Sequence, residues 1–166
     1  MIYKKEVMEY RDRGGSKSVK NIIFIVTKDC QLACKYCYLV GKNSNEKMTW
    51  EIGKQTIDYI LNEFSQSKGI ILDFIGGEPF LEIELIDRIC DYFKVEAYKR
   101  DLACFNNYRF NVSTNGINYN SPKVQEFICK NKKHVSIGIT IDGTKRKHDL
   151  NRIWKGTNKE RGSYDD

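Results

Sequence analysis

Ile22-Ile23-Phe24-Ile25-Val26-Thr27-Lys28-Asp29-Cys30-Gln31-Leu32-Ala33-Cys34-Lys35-Tyr36-Cys37 is the stretch that decides how this chain is read. Its first half is an apolar run rich in β-branched residues, the pattern of a strand buried on both faces. Its second half gathers three thiols in one short loop. Cysteines converge this closely when a metal or a cluster holds them. Three thiolates are one short of the closed tetrahedral set of a structural zinc site. The further candidates, Cys90, Cys104, Cys129, His134 and His148, all lie far downstream. A cubane 4Fe-4S cluster is usually held by four thiolates, so three would leave one iron open to a substrate or cofactor. The loop alone leaves iron-sulfur, zinc and redox thiols as alternatives.

The totals set outer limits. At 166 residues and 40% hydrophobic content the chain fits one globular domain. Six cysteines without a secretory signal point to a reducing, cytoplasmic setting. The longest apolar runs, residues 22–26 and 69–72, are far too short to cross a bilayer, so a soluble protein without a membrane partner is expected. The net charge of +6 is scattered among acidic residues apart from Lys145, Arg146, Lys147 and Arg152. That argues for a solvated surface rather than a nucleic-acid interface. A basic patch near a cofactor also suits an anionic substrate.

Outward from the cysteine loop the chain alternates strand and helix. Residues 1–20 read as a polar lead-in with Gly14-Gly15-Ser16, part of which could pair as a strand; residues 21–166 read as the core. Thr49 caps a helix running to about Ser65, with Ile57, Ile60, Leu61 and Phe64 on one face. Residues 70–75 form a second buried strand that runs into Gly76-Gly77-Glu78-Pro79. A second helix carries Leu85, Ile86, Ile89, Cys90 and Phe93 and fades at Lys99-Arg100, with Cys90 in the core. Residues 109–113 make a third strand ending in Thr114-Asn115-Gly116. Ser121-Pro122 opens a third helix with Val124, Phe127, Ile128 and Cys129 inward. Cys104 falls in an unpatterned stretch. Residues 135–141 make a fourth strand followed by Asp142-Gly143, and residues 162–166 read as a cap and opening turn.

Four strands separated by helices predict parallel β-α units with right-handed crossovers. In such folds function gathers at the strand C-terminal ends. The Cys loop, Gly76-Gly77-Glu78-Pro79, Ser113-Thr114-Asn115-Gly116 and Asp142-Gly143 all fall there. Each later motif alone is an ordinary turn. Together they define one face of one site.

This constellation resembles the radical S-adenosylmethionine (SAM) superfamily. Cys30-xxx-Cys34-xx-Cys37, with Tyr36 before the last Cys, is similar to the family's cluster-binding loop, and Gly76-Gly77-Glu78-Pro79 to its second-strand motif. Ser113-Thr114-Asn115-Gly116 and Thr140-Ile141-Asp142-Gly143, followed by His148-Asp149-Leu150-Asn151-Arg152, resemble the subgroup with SPASM domains, which holds peptide maturases and anaerobic sulfatase maturases. Cys37-Tyr38-Leu39-Val40-Gly41-Lys42-Asn43 is similar to maturases of cysteine-repeat peptides. Thr140 stands where the family often has Ser, which keeps the hydroxyl.

The resemblance implies an α/β fold, a partial parallel barrel truncated to about four of the family's six β-α units, with the C-terminal domain absent. It implies that Cys30, Cys34 and Cys37 bind a 4Fe-4S cluster whose open iron chelates SAM. Gly76, Gly77, Glu78 and Pro79 would meet the methionine ammonium, Arg152 the carboxylate, and Ser113, Asn115 and Thr140 the methionine or ribose. Tyr36 would lie near the adenine, and Asp142 belongs to the same set. His148 would be structural or exposed. The implied partners are a ribosomally made peptide, a reductant such as flavodoxin or ferredoxin, and possibly a second chain supplying the missing strands. The implied activity is radical modification of the peptide, with a silent SAM-binding subunit as the alternative. A zinc-stabilised nucleic-acid module is the rival from a different class. An open barrel would also leave the fourth strand as an aggregation-prone edge.

Overall fold

A computed structural model describes residues 10–11, 18–39, 42, 44–156 and 161–166 of the chain. Gly14-Gly15-Ser16 and, in the cysteine-repeat resemblance, Val40, Gly41 and Asn43 lie outside the described residues. The strands are β1 (Tyr10–Arg11), β2 (Val19–Thr27), β3 (Gly69–Gly76), β4 (Tyr108–Thr114) and β5 (Val135–Ile139). They form one sheet in the order β1-β2-β3-β4-β5, with β1 antiparallel to β2 and every later pair parallel. Part of the expected lead-in is therefore an edge strand, and β2 begins at Val19.

Sequential parallel order has a direct consequence. Right-handed crossovers that never reverse direction place their helices on the same face, as in a singly wound barrel, rather than on both faces of a doubly wound sheet. The helices are α1 (Trp50–Glu63), α2 (Ile83–Lys99), α3 (Pro122–Lys130) and a short α4 (Lys145–Asn151). Ile22, Phe24, Val26, Ile70, Leu72, Phe74, Phe110 and Val112 are buried with Ile57, Ile60, Leu61, Ile86, Ile89, Phe93, Val124 and Phe127 in one core. The alternate residues Ile23, Ile25, Ile71, Asp73 and Ile75 are only half-buried. This corrects the expectation of strands buried on both faces, because the second face fronts an open concavity.

The local signals work as their chemistry requires. Thr49 Oγ1 accepts the Ile52 N–H at 3.3 Å and caps α1. Cys90 is fully buried in the core, and Cys104 is found there too, on a 3-10 turn at Ala103–Asn106. Cys129 is a correction: it is exposed. Val124 and Phe127 set the inward face of α3, and a residue five positions after Val124 falls about 140° round the helix from it. The fourth strand ends at Ile139 rather than at residue 141. Residues 162–166 open no helix. Instead Gly162 pairs with Ile153, and the buried Ser163 hydroxyl donates to the Arg152 carbonyl at 2.8 Å. Among the described residues no helix is long and apolar enough to cross a membrane.

Candidate metal centre and cofactor site

The cysteine loop leaves β2 at Thr27 and is fastened on two sides. On one side the end of β3 acts as a clamp. Gly77 N–H donates to the Thr27 carbonyl at 2.8 Å, and Glu78 N–H to the Asp29 carbonyl at 2.8 Å. Contact this close requires glycine. Gly76 sits at φ 141°, and a Cβ on Gly77 would fall into the Asp29 carbonyl. On the other side the chain following α4 runs antiparallel to the loop. Ala33 N–H donates to Ile153 O at 2.7 Å, Lys35 N–H to Asn151 O at 3.0 Å, and Lys155 N–H to Gln31 O at 2.9 Å.

Held this way, Cys30, Cys34 and Cys37 open on one cavity of about 460 Å³ at the strand C-terminal ends. Of the expected site residues, Tyr36, Gly76, Gly77, Ser113, Asn115, Thr140 and Arg152 line it as well. Glu78, Pro79 and Asp142 do not. Glu78 is fully buried, and three donors occupy its carboxylate: Thr114 Oγ1 at 2.6 Å and Phe80 N–H at 3.0 Å on Oε1, and Asn115 N–H at 2.8 Å on Oε2. Burial pushes its carboxyl above the usual range, although these bonds and Arg152 act in the opposite direction. The acceptor-only pattern is that of the ionised form. Glu78 therefore braces the β3 and β4 ends together, and Pro79 opens the buried 3-10 turn behind it.

Asn115 reaches the thiols directly, its Nδ2 standing 3.7 Å from Cys30 Sγ and 3.3 Å from Gln31 Oε1. Asp142 accepts from the Tyr36 hydroxyl at 2.7 Å, and that hydroxyl accepts from Arg152 Nη1 at 2.9 Å. Arg152 is no surface charge: it is 6% exposed, and its Nε is buried with no partner among the described residues. Burial opposes its charge, but the Tyr36 hydroxyl and the nearby Cys34 and Asp142 outweigh this and hold its pKa up. His148 is buried and structural. It accepts from Asp142 N–H at 3.4 Å and meets Ser163 Oγ at 3.1 Å.

Sequence reasoning missed four participants. Thr114 is the brace partner of Glu78, and Asp29 presents Oδ1 to Cys30 N–H at 2.9 Å. Tyr38 and Lys42 line the cavity. All four stood inside quoted stretches of sequence, but none carries a spacing signal that marks it out.

The donor set fits a cluster held at three corners. Three thiols line the cavity and, among the described lining residues, there is no further Cys or His. No three His, Cys, Asp or Glu side chains among the described residues converge closely enough to hold a single ion. A cubane takes each thiolate on a different iron, so its ligands face a shared volume rather than a shared point. The Cys30 thiol is pushed up by burial, against the Leu32 N–H and Lys42, so a metal must displace a proton there.

Comparison with known proteins decides between the alternatives. The profile of the 4Fe-4S single cluster domain family matches residues 16–161. The chain belongs to this family. Its relatives place it in the radical SAM superfamily, and zinc as the loop's occupant is set aside. An uncharacterised protein of Methanocaldococcus jannaschii is 36% identical over 127 residues, covering 75% of this chain and 39% of that one. The radical SAM cyclopropyl synthase TigE of Paramaledivibacter caminithermalis is 25% identical, covering 80% and 29%. The solved structure of native anSMEcpe with bound AdoMet and Cp18Cys peptide superposes with a TM-score of 0.65 at 27% identity, covering 83% and 35%. The radical SAM fold is thus the architecture of this sheet, and a 4Fe-4S cluster and SAM are the cofactors of the superfamily. The chain spans between about three-tenths and two-fifths of the length of these proteins.

Proposed function

We propose that the chain carries the cluster-binding and SAM-binding part of a radical SAM enzyme acting in the cytoplasm on a ribosomally made peptide. The observation that carries this reading is the opening of Cys30, Cys34, Cys37 and Arg152 on one cavity beside Gly76 and Gly77. When bound, cluster and SAM supply reductive cleavage of the sulfonium and a 5′-deoxyadenosyl radical that takes hydrogen from the substrate. The three thiolates hold the cluster. The unpartnered Nε of Arg152 is a donor for the SAM carboxylate, in a guanidinium already oriented by Tyr36. Ser113, Asn115 and Thr140 supply hydroxyl and amide groups for the methionine or ribose, and Tyr36 supplies a ring for the adenine. Gly76 and Gly77 turn backbone rather than side chain toward the methionine ammonium. Support for a peptide substrate comes from the peptide held by anSMEcpe.

Anaerobic reconstitution with iron and sulfide, reduction with SAM present and chromatography for 5′-deoxyadenosine test the reading. Wild type is expected to yield the nucleoside, and Cys34→Ala to lose both cluster and nucleoside. Unchanged iron content in that variant refutes the ligand assignment. A second reading is favoured by the exposure of Ile139 and Ile141, 45% and 62%, on and just beyond β5. It holds that the barrel acts only when another chain covers that edge. A cluster without nucleoside, restored by adding the covering chain, supports it.

A further inference from the structure

Cluster reduction needs one electron, and the electron cannot easily enter from the cavity side, where SAM and substrate are proposed to sit. The remaining approach is across the outer side of the cysteine loop. Lys35 lies on that loop, exposed, and its N–H is bonded to Asn151 at the end of α4. Four residues before Asn151, about 6 Å along the helix, stands Lys147, preceded by Arg146; both are exposed.

The charges here are not all neutralised. Lys145 pairs with Asp149 and Asp165, Lys155 with Asp29, and Arg161 with Asp166. Lys35, Arg146 and Lys147 have no ion-pair partner among the described residues. An exposed apolar group accompanies them: Leu150 on α4 is 60% exposed. Free cations around an exposed apolar side chain are the composition of a small, transient, charge-steered interface.

We propose that Lys35, Arg146 and Lys147, together with Leu150, form the docking surface for a small acidic electron-carrier protein. The inference rests on the proposed radical SAM reading. One electron passes from the reduced carrier to the oxidised cluster, the carrier is oxidised by one electron, and no proton or covalent bond is exchanged. The contact of Lys35 with the end of α4 places the surface beside Cys34, so the electron crosses the loop and not the SAM cavity.

The test uses an acidic flavodoxin and the triple variant Lys35→Glu, Arg146→Glu, Lys147→Glu. The control is Lys132→Glu, Lys133→Glu, an exposed pair ahead of β5 at the opposite end of the strands. Binding of fluorescently labelled oxidised flavodoxin is measured by anisotropy at low and high salt, after matching iron content and circular dichroism. Wild type is expected to bind with strong salt dependence. The triple variant is expected to bind roughly tenfold or more weakly, and the control within about twofold of wild type. The rate of cluster reduction by flavodoxin hydroquinone should fall with the binding, while excess dithionite reduces the same fraction of clusters in all three proteins. If the triple variant loses its cluster, the pair Arg146→Glu, Lys147→Glu, which leaves the loop untouched, must show the same loss of binding. Wild-type binding by the charge-reversed protein, or an equal loss in the control, overturns the proposal. Absence of 5′-deoxyadenosine with dithionite refutes the proposed activity instead, and leaves the binding comparison standing.

Discussion

Replacing Glu78 by Gln tests whether this residue braces the site rather than serving the cofactor. The carboxylate accepts two donors on Oε1 and one on Oε2 in a fully buried position. A glutamine amide has one acceptor oxygen. Keeping Thr114 and Phe80 satisfied turns its NH₂ toward the Asn115 N–H. One charge-assisted bond is then lost, about 2 kcal/mol, and the half-buried Asn115 N–H is left without a partner, about 1–2 kcal/mol more. Relief from burying a charge returns about 1 kcal/mol. The net loss is about 2–3 kcal/mol, a drop in melting temperature of roughly 5–10 °C for a domain of this size. Urea unfolding of the apoprotein under reducing conditions, followed by circular dichroism, measures it without any cofactor. A variant within about 0.5 kcal/mol of wild type refutes the brace and returns Glu78 to the candidate SAM ligands.

Gly77→Ala drives a methyl group into the Asp29 carbonyl and is expected to cost about 2 kcal/mol or more while freeing the cysteine loop; faster tryptic cleavage after Lys28 or Lys35 reports this, and unchanged cleavage counts against the clamp. Burial and the nearby Arg152 hold the His148 pKa below its unfolded value of 6.5. Its contribution to stability is therefore complete above pH 6.5 and shrinks as pH falls from there toward the folded value. Urea midpoints at pH 7.5 and 5.5 should converge in His148→Gln relative to wild type, and an unchanged pH difference contradicts the assignment. Ile141→Lys, at an exposed apolar position beyond β5, should raise the concentration at which light scattering first appears; an unchanged threshold argues that this edge does not drive association.

The fold was legible because its signals are local. Apolar runs of strand length, Thr49 as a cap and Ser121-Pro122 as a helix start each act within a few residues. The convergence of the four loops followed from topology, since parallel strands deliver their C-terminal ends to one side. What sequence reading could not provide was the occupancy of each group. Glu78 stood among the ligands that the resemblance implies, yet its oxygens are taken by Thr114, Asn115 and Phe80. Arg152 stood in the basic cluster with Lys145, Arg146 and Lys147, yet it is buried against Tyr36, 116 positions away. Cys129 was placed inward by its apolar character, and a nine-residue helix has room for only one buried face. Long-range pairing leaves no periodic trace in a chain.

The antiparallel stitch between the cysteine loop and the chain after α4 also bears on biogenesis. Lys155, which pairs with Asp29, is translated 126 residues after it. At about 5–20 residues per second, roughly 6–25 s separate the synthesis of the thiols from that of the segment that fastens them. During that interval β2 has no α4 to hold its loop, and the three thiols are open to oxidation and to stray metal ions. Delivery of iron and sulfur is therefore expected to follow completion of this half-barrel rather than accompany its synthesis.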